Sequence, residues 1–161
     1  MNPMRSGRML KPLLATAMAM MAVAVAVVAY ADLTPWKDYQ VSDAVWVVTT
    51  VKVDPNMDDE YLEGLGRTWI AANEVEKTLG YIEDYKIYRS DLPLGGDFNI
   101  LLVVKLKSTA DLAPSKARYE AFMKEWGAAR EKETKEIGQK TYPTMRKITG
   151  EYHFREITMK H

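Results

Sequence analysis

The chain has 161 residues, a length that suits one domain built around a single core. Hydrophobic residues at 47% and charged residues at 27% exclude a disordered or fibrous chain, and 22 basic against 22 acidic residues leave no electrostatic footprint for nucleic acid. There are no cysteines, which excludes disulfides, thiolate metal sites, a cysteine nucleophile and a lipobox anchor.

Residues 1–31 have the form of a secretory signal. Arg5, Arg8 and Lys11 make a basic start, and no charge follows from Pro12 to Ala31. The run Leu13 to Val28 is dominated by Ala, Met and Val, and Ala29-Tyr30-Ala31 places small residues at the two positions a signal peptidase reads, with Asp32 after the cut. The competing reading is an uncleaved anchor, since this uncharged run is just long enough to span a bilayer. Its richness in alanine rather than leucine favours cleavage. No twin-arginine pair is present, which points to the general secretory route and to a periplasmic or secreted protein that meets a membrane only through this segment. Losing three basic residues leaves 19 against 22 acidic ones, about −3 for the mature chain.

Residues 32–41 read as a lead-in to a domain over 42–161. Ala44 to Val53 predicts a strand, rich in β-branched side chains and apolar on both alternating sets. Asp54-Pro55-Asn56 stops it, and Asp54 or Asn56 is placed to cap a helix whose first turn carries Asp58, Asp59 and Glu60. Leu62, Leu65, Trp69, Ala72, Val75 and Leu79 recur at steps of three and four along that helix, with Arg67, Asn73, Glu74 and Lys77 off the stripe and Gly80 as terminator. Tyr81 to Ser90 predicts a second, more polar strand, and Asp91 to Gly96 a turn. Asp97 to Lys107 predicts a third strand, with Phe98, Ile100, Leu102, Val104 and Leu106 on one face and Leu101 and Val103 on the other.

Asp111 and Pro114 open a second helix whose inner face is Tyr119, Phe122, Met123 and Trp126. Ala128 to Lys140 is charged and reads as a solvated helical extension after a kink at Gly127, interrupted by Pro143 and ended by Gly150. Used as a docking face, this segment would make the chain an interaction module, but charge runs on helices are usually just solvated. Glu151 to Lys160 predicts the last strand.

The order β-α-β-β-α-β with right-handed crossovers gives an α+β, ferredoxin-like fold: a four-stranded antiparallel sheet with two helices on one face. The first and third strands, apolar on both sides, are expected inside, and the second and fourth at the edges. Two helices leave one sheet face open, so the two-faced strands require a second cover. On that topology the chain resembles the dimeric α/β-barrel superfamily over residues 42–160. The resemblance implies a homodimer formed through the open sheet face, with a small apolar or aromatic ligand as the leading functional expectation. It also offers an alternative, a cofactor-free monooxygenase-like enzyme acting on an aromatic substrate. Haem-binding relatives commonly use a histidine on the second helix; here that helix has none, and only Tyr119 and Tyr142 are near. No cofactor is therefore expected.

Several residues are candidates for chemistry. Asp54, Asn56 and Asp58 imitate the start of a calcium loop, but Asp59 stands where glycine is required and Leu65 where a bidentate glutamate is, so helix capping is the better account. His153 is the only histidine within the predicted domain besides the terminal His161; it is a weak candidate base, and alone it makes no zinc site. No Gly-x-Ser-x-Gly occurs, which leaves serine hydrolysis without support. The ligand-binding set is Trp46, Trp69, Asn73, Tyr85, Tyr88 and His153, with Arg67 as a further polar group and Tyr119 and Trp126 adding aromatic area. No metal ligands are expected.

Overall fold

A computed structural model describes residues 32–92 and 95–160. The signal segment read at 1–31 lies outside these residues, as do Pro93 and Leu94 of the predicted turn and His161. The elements in chain order are β1 (Tyr39–Val41), β2 (Val45–Val53), α1 (Asp58–Leu65), a π-helical turn (Gly66–Ile70), α2 (Ala71–Thr78), β3 (Asp84–Arg89) and β4 (Ile100–Leu106). A 3-10 turn (Thr109–Leu112) leads into α3 (Lys116–Trp126) and α4 (Ala128–Glu136). A second π turn (Ile137–Thr141) and a 3-10 turn (Tyr142–Thr144) then precede β5 (Arg146–Phe154) and β6 (Ile157–Met159).

The main sheet is four-stranded and antiparallel with the order β3-β4-β2-β5. The two strands that are apolar on both alternating sets therefore lie inside and the two more polar ones at the edges, because only an inner strand can bury both sets. Val45, Val51 and Val53 of β2 face the helices beside Ile100, Leu102 and Leu106 of β4, all of them buried. Tyr61 and Leu65 of α1 complete the larger cluster together with Ile137, Tyr142 and Met145. The opposite set belongs to neither buried cluster: Trp46, Val48 and Leu101 are half-buried, and only Val103 is buried. On that open side Tyr88, Tyr152 and Phe154 are 51%, 49% and 52% exposed.

Several expectations need correction. Neither Asp54 nor Asn56 caps α1: Met57 occupies the N-cap position, with no side-chain bond. Asn56 takes φ 66° instead, turning the chain while the Asp54 carbonyl accepts from the Met57 amide at 3.1 Å. The apolar stripe also does not run straight. The π turn inserts an extra residue into the helix and rotates its downstream face. As a result Asn73, expected off the stripe, is buried, while Ala72 and Val75 are only half-buried. Tyr119 is 63% exposed rather than inward, and Phe98 lies ahead of β4 and is exposed too.

The charged segment after Gly127 is not wholly solvated. Gly127 at φ 81° breaks α3 from α4 in a conformation that favours glycine, and the chain beyond Glu136 turns Ile137, Tyr142 and Met145 back into the core. Gly150 ends no helix; it sits inside β5 at a bulge, where the register against β2 shifts between Thr50 and Val51. Tyr152 folds over this glycine so closely that a Cβ there would stand 2.7 Å from its hydroxyl oxygen. The last predicted strand is in fact two. β5 begins earlier, at Arg146, and β6 leaves the main sheet to pair with β1, Tyr39 opposite Met159. The lead-in is thus structured over β1.

Candidate functional site

The six residues singled out by sequence fall into three places. Trp69, Asn73 and Tyr85 meet on the helix side. The Trp69 and Tyr85 rings pack edge-on with centroids 5.5 Å apart, and Asn73 Nδ2 donates to the Trp69 carbonyl at 2.7 Å. The Tyr85 hydroxyl donates to the Glu74 carboxylate, and this bond, ahead of burial, pushes the phenol up to about 12. Lys77 pairs with Asp84 at 2.9 Å, which holds its ammonium above the ordinary lysine range. These polar groups tie α2 to β3, so the trio acts as a clamp between helix and edge strand.

Trp46 and Tyr88 lie on the other side of the sheet. Lys105 lies over the Trp46 ring at 5.5 Å and pairs with Glu83 at 2.9 Å. Tyr152 and Phe154, which sequence reading left out of the site, stack with centroids 5.9 Å apart on the adjoining edge strand. Trp46 is opposite Phe154 and Val48 opposite Tyr152, so these side chains form one continuous apolar field with Val103. His153 stands away from both groups. It is exposed on edge strand β5, opposite Val47 and hence on the helix side. Among the described residues its side chain makes no hydrogen bond or ion pair, and therefore has no group to orient its ring as a base. Among the described residues there is also no group of three or more acidic or histidine side chains that could hold a metal ion.

Arg67, the other polar candidate, faces outward and pairs with Glu133 at 3.6 Å. Tyr142 is buried in the core, where its hydroxyl meets Thr68 Oγ1 at 2.5 Å. Burial raises the phenol above its ordinary range, with Arg146, whose guanidinium lies 4.9 Å from the ring, opposing.

A cleft of about 380 Å³ opens between α2 and α3, floored by Ile82 and Leu106 and walled by Phe122 and Met123. Arg118 braces its rim. One guanidinium nitrogen donates to Asp111 Oδ1 at 3.1 Å and another to the Tyr81 carbonyl at 2.9 Å, while the group lies 4.4 Å over the Tyr81 ring. Sequence reading missed this cleft because the spacing of Glu76 on the first helix and of Phe122 and Met123 on the second does not show that those faces meet.

No protein-family model matches this sequence, and no curated protein matches it. Among solved structures the chain is similar to HapK from Hahella chejuensis at 11% identity and a TM-score of 0.43, covering 73% of this chain and 96% of that one. It is also similar to protein SO0527 from Shewanella oneidensis at 10% identity and a TM-score of 0.44, covering 74% of this chain and 98% of that one.

Proposed function

We propose that this chain is an exported, non-catalytic homodimer of the ferredoxin-like, dimeric α/β-barrel kind, whose open sheet faces pair and enclose a small apolar or aromatic ligand. The observation that carries the reading is the field of Trp46, Val48, Leu101, Tyr88, Tyr152 and Phe154 on the sheet face away from the helices. A single subunit exposing this field leaves large aromatic rings half in water, and a second identical sheet covers them with the same chemistry on both sides of a two-fold axis. The strand order β3-β4-β2-β5 is compatible with a ferredoxin-like arrangement and has the apolar strands at the middle of the sheet, which supports pairing through that face.

Light scattering of the purified protein at micromolar concentration is expected to give twice the chain mass. Replacing Tyr152 and Phe154 together with glutamate should weaken pairing by about a hundredfold or more, since central aromatic anchors typically contribute about 2 kcal/mol or more each. A monomeric wild type removes the pairing. The ligand is tested separately, by native mass spectrometry of freshly exported protein and a thermal-shift screen of aromatic compounds; a dimer that retains and binds nothing in both removes the ligand. Export predicts that the protein recovered outside the cytoplasm begins at Asp32, and N-terminal sequencing that reads Met1 would exclude cleavage.

A further inference from the structure

The cleft between α2 and α3 has an unbalanced charge. Glu76, Asp111 and Glu131 all line it, against one guanidinium, that of Arg118. Two of these carboxylates already have cations: Asp111 pairs with Arg118 at 3.1 Å, and Glu131 with Lys135 at 2.8 Å. Glu76 is half-buried, and among the described residues it makes no ion pair within 4.0 Å. Arg118 does not serve it, because its donors go to Asp111 and to the Tyr81 carbonyl and its face is laid on the Tyr81 ring. Leaving a carboxylate half-buried without a cation is unfavourable. The same burial raises the Glu76 carboxyl above its ordinary range, with Arg118 opposing.

Beside the hydroxyl-bearing Tyr81, Ser115 and Tyr119, the rest of the cleft is apolar. Ile82 and Leu106 are buried at its floor, and Phe122 and Met123 present half-buried side chains from α3. Its volume of about 380 Å³ falls within the range of small-molecule sites. An anion would meet the like charge of three lining carboxylates here, and a neutral apolar molecule leaves Glu76 unpaired. We propose that this cleft binds a small amphipathic organic cation, an ammonium carrying an aromatic or short aliphatic tail, with Glu76 as its counter-ion and Phe122 and Met123 against the tail. The site lies on the helix side of the sheet, so its occupancy does not depend on the pairing of the open faces.

The test is calorimetric titration of the purified chain with 2-phenylethylamine and, separately, with the neutral isostere 2-phenylethanol. Saturable binding of the amine in the low millimolar range or tighter is expected, with the alcohol weaker. Glu76→Gln keeps the shape and removes the charge, and should weaken the amine by about tenfold or more, the loss of one charge-assisted hydrogen bond. In the wild type, amine affinity should fall as pH is lowered through the raised Glu76 range, at a higher pH than for an ordinary glutamate; this readout needs no variant. Arg118, Asp111, Glu131, Tyr81 and Tyr119 are the other charged or titratable groups facing the cleft. No saturable binding, equal affinity for amine and alcohol, equal affinity in wild type and Glu76→Gln, or affinity flat with pH would each overturn the proposal.

Discussion

Replacing Asn99 with alanine is expected to lower folding stability by about 2–4 kcal/mol, read as a fall in the urea midpoint at unchanged slope. The pairing of β2 with β4 ends at Val51 and Ile100, yet β2 continues to Val53. Along that overhang the Asn99 side chain takes the place of the missing strand. Its Oδ1 accepts from the Val53 amide at 2.8 Å and its Nδ2 donates to the Val53 carbonyl at 2.9 Å. Its own backbone carries the ladder forward on both sides, the amide donating to the Val51 carbonyl at 3.0 Å and the carbonyl accepting from Ser90 at 2.8 Å. Asn99 is 3% exposed and Val53 1%, so removing the amide strands a buried donor and a buried acceptor at about 1–3 kcal/mol each. Asn99→Asp keeps only the acceptor and turns a carboxylate oxygen toward the Val53 carbonyl, so it should not restore stability. An alanine variant as stable as wild type would show that Val53 finds other partners.

Asn99 also illustrates what the sequence makes legible. The inner strands could be read because Val45–Val53 and Ile100–Leu106 advertise themselves chemically: β-branched or aliphatic side chains on both alternating sets have few other places to go. An asparagine that pairs like a strand carries no comparable pattern, since its partner is a backbone group remote in sequence. The first half of edge strand β5 is hidden for a related reason. Arg146, Lys147 and Gly150 look like linker, and that half is held by its ladder to β2 rather than by apolar alternation. β1 and β6 are three residues each, too short for any period to register.

The candidate site was legible in composition and not in arrangement. Trp46 and Tyr88 carry the right chemistry for an apolar surface, and the structure sets them on the same sheet face. Asn73 reads from the sequence as a polar group off the apolar stripe, yet it is buried, downstream of a π turn that a strict helical period does not contain. Glu76 stands two helical turns beyond Trp69 and shares its face, but a carboxylate there carries no apolar signal to mark it as part of a cleft.

The second large effect is expected at the joint where the π turn begins. Gly64 lies against Tyr142, and a Cβ there would stand 2.9 Å from the ring's Cε1. The ring has little room to retreat: Tyr61 packs on it edge-on at 5.2 Å, and Arg146 covers it at 4.9 Å. Its hydroxyl is held at 2.5 Å by Thr68 Oγ1, which donates its one hydrogen to the Gly64 carbonyl at 2.9 Å, so Tyr142 is the donor in their bond. Gly64→Ala gains about 0.5–1 kcal/mol of helix propensity but overpacks the core at about 1–3 kcal/mol, and net destabilisation is expected. Tyr142→Ala should cost more, about 3–5 kcal/mol, by opening a cavity beside Tyr61 and leaving Thr68 without its second partner. The two changes share one contact, so the double variant should be more stable than the sum of the single effects implies, by about 1 kcal/mol or more. Tyr142→Phe separates ring from hydroxyl: it should lose about 1 kcal/mol for the Thr68 bond and leave the Gly64→Ala penalty largely in place, because the nearest contact is to ring carbon. Strict additivity of Gly64→Ala with Tyr142→Ala in chemical denaturation would mean that the helix, not the ring, absorbs the added methyl.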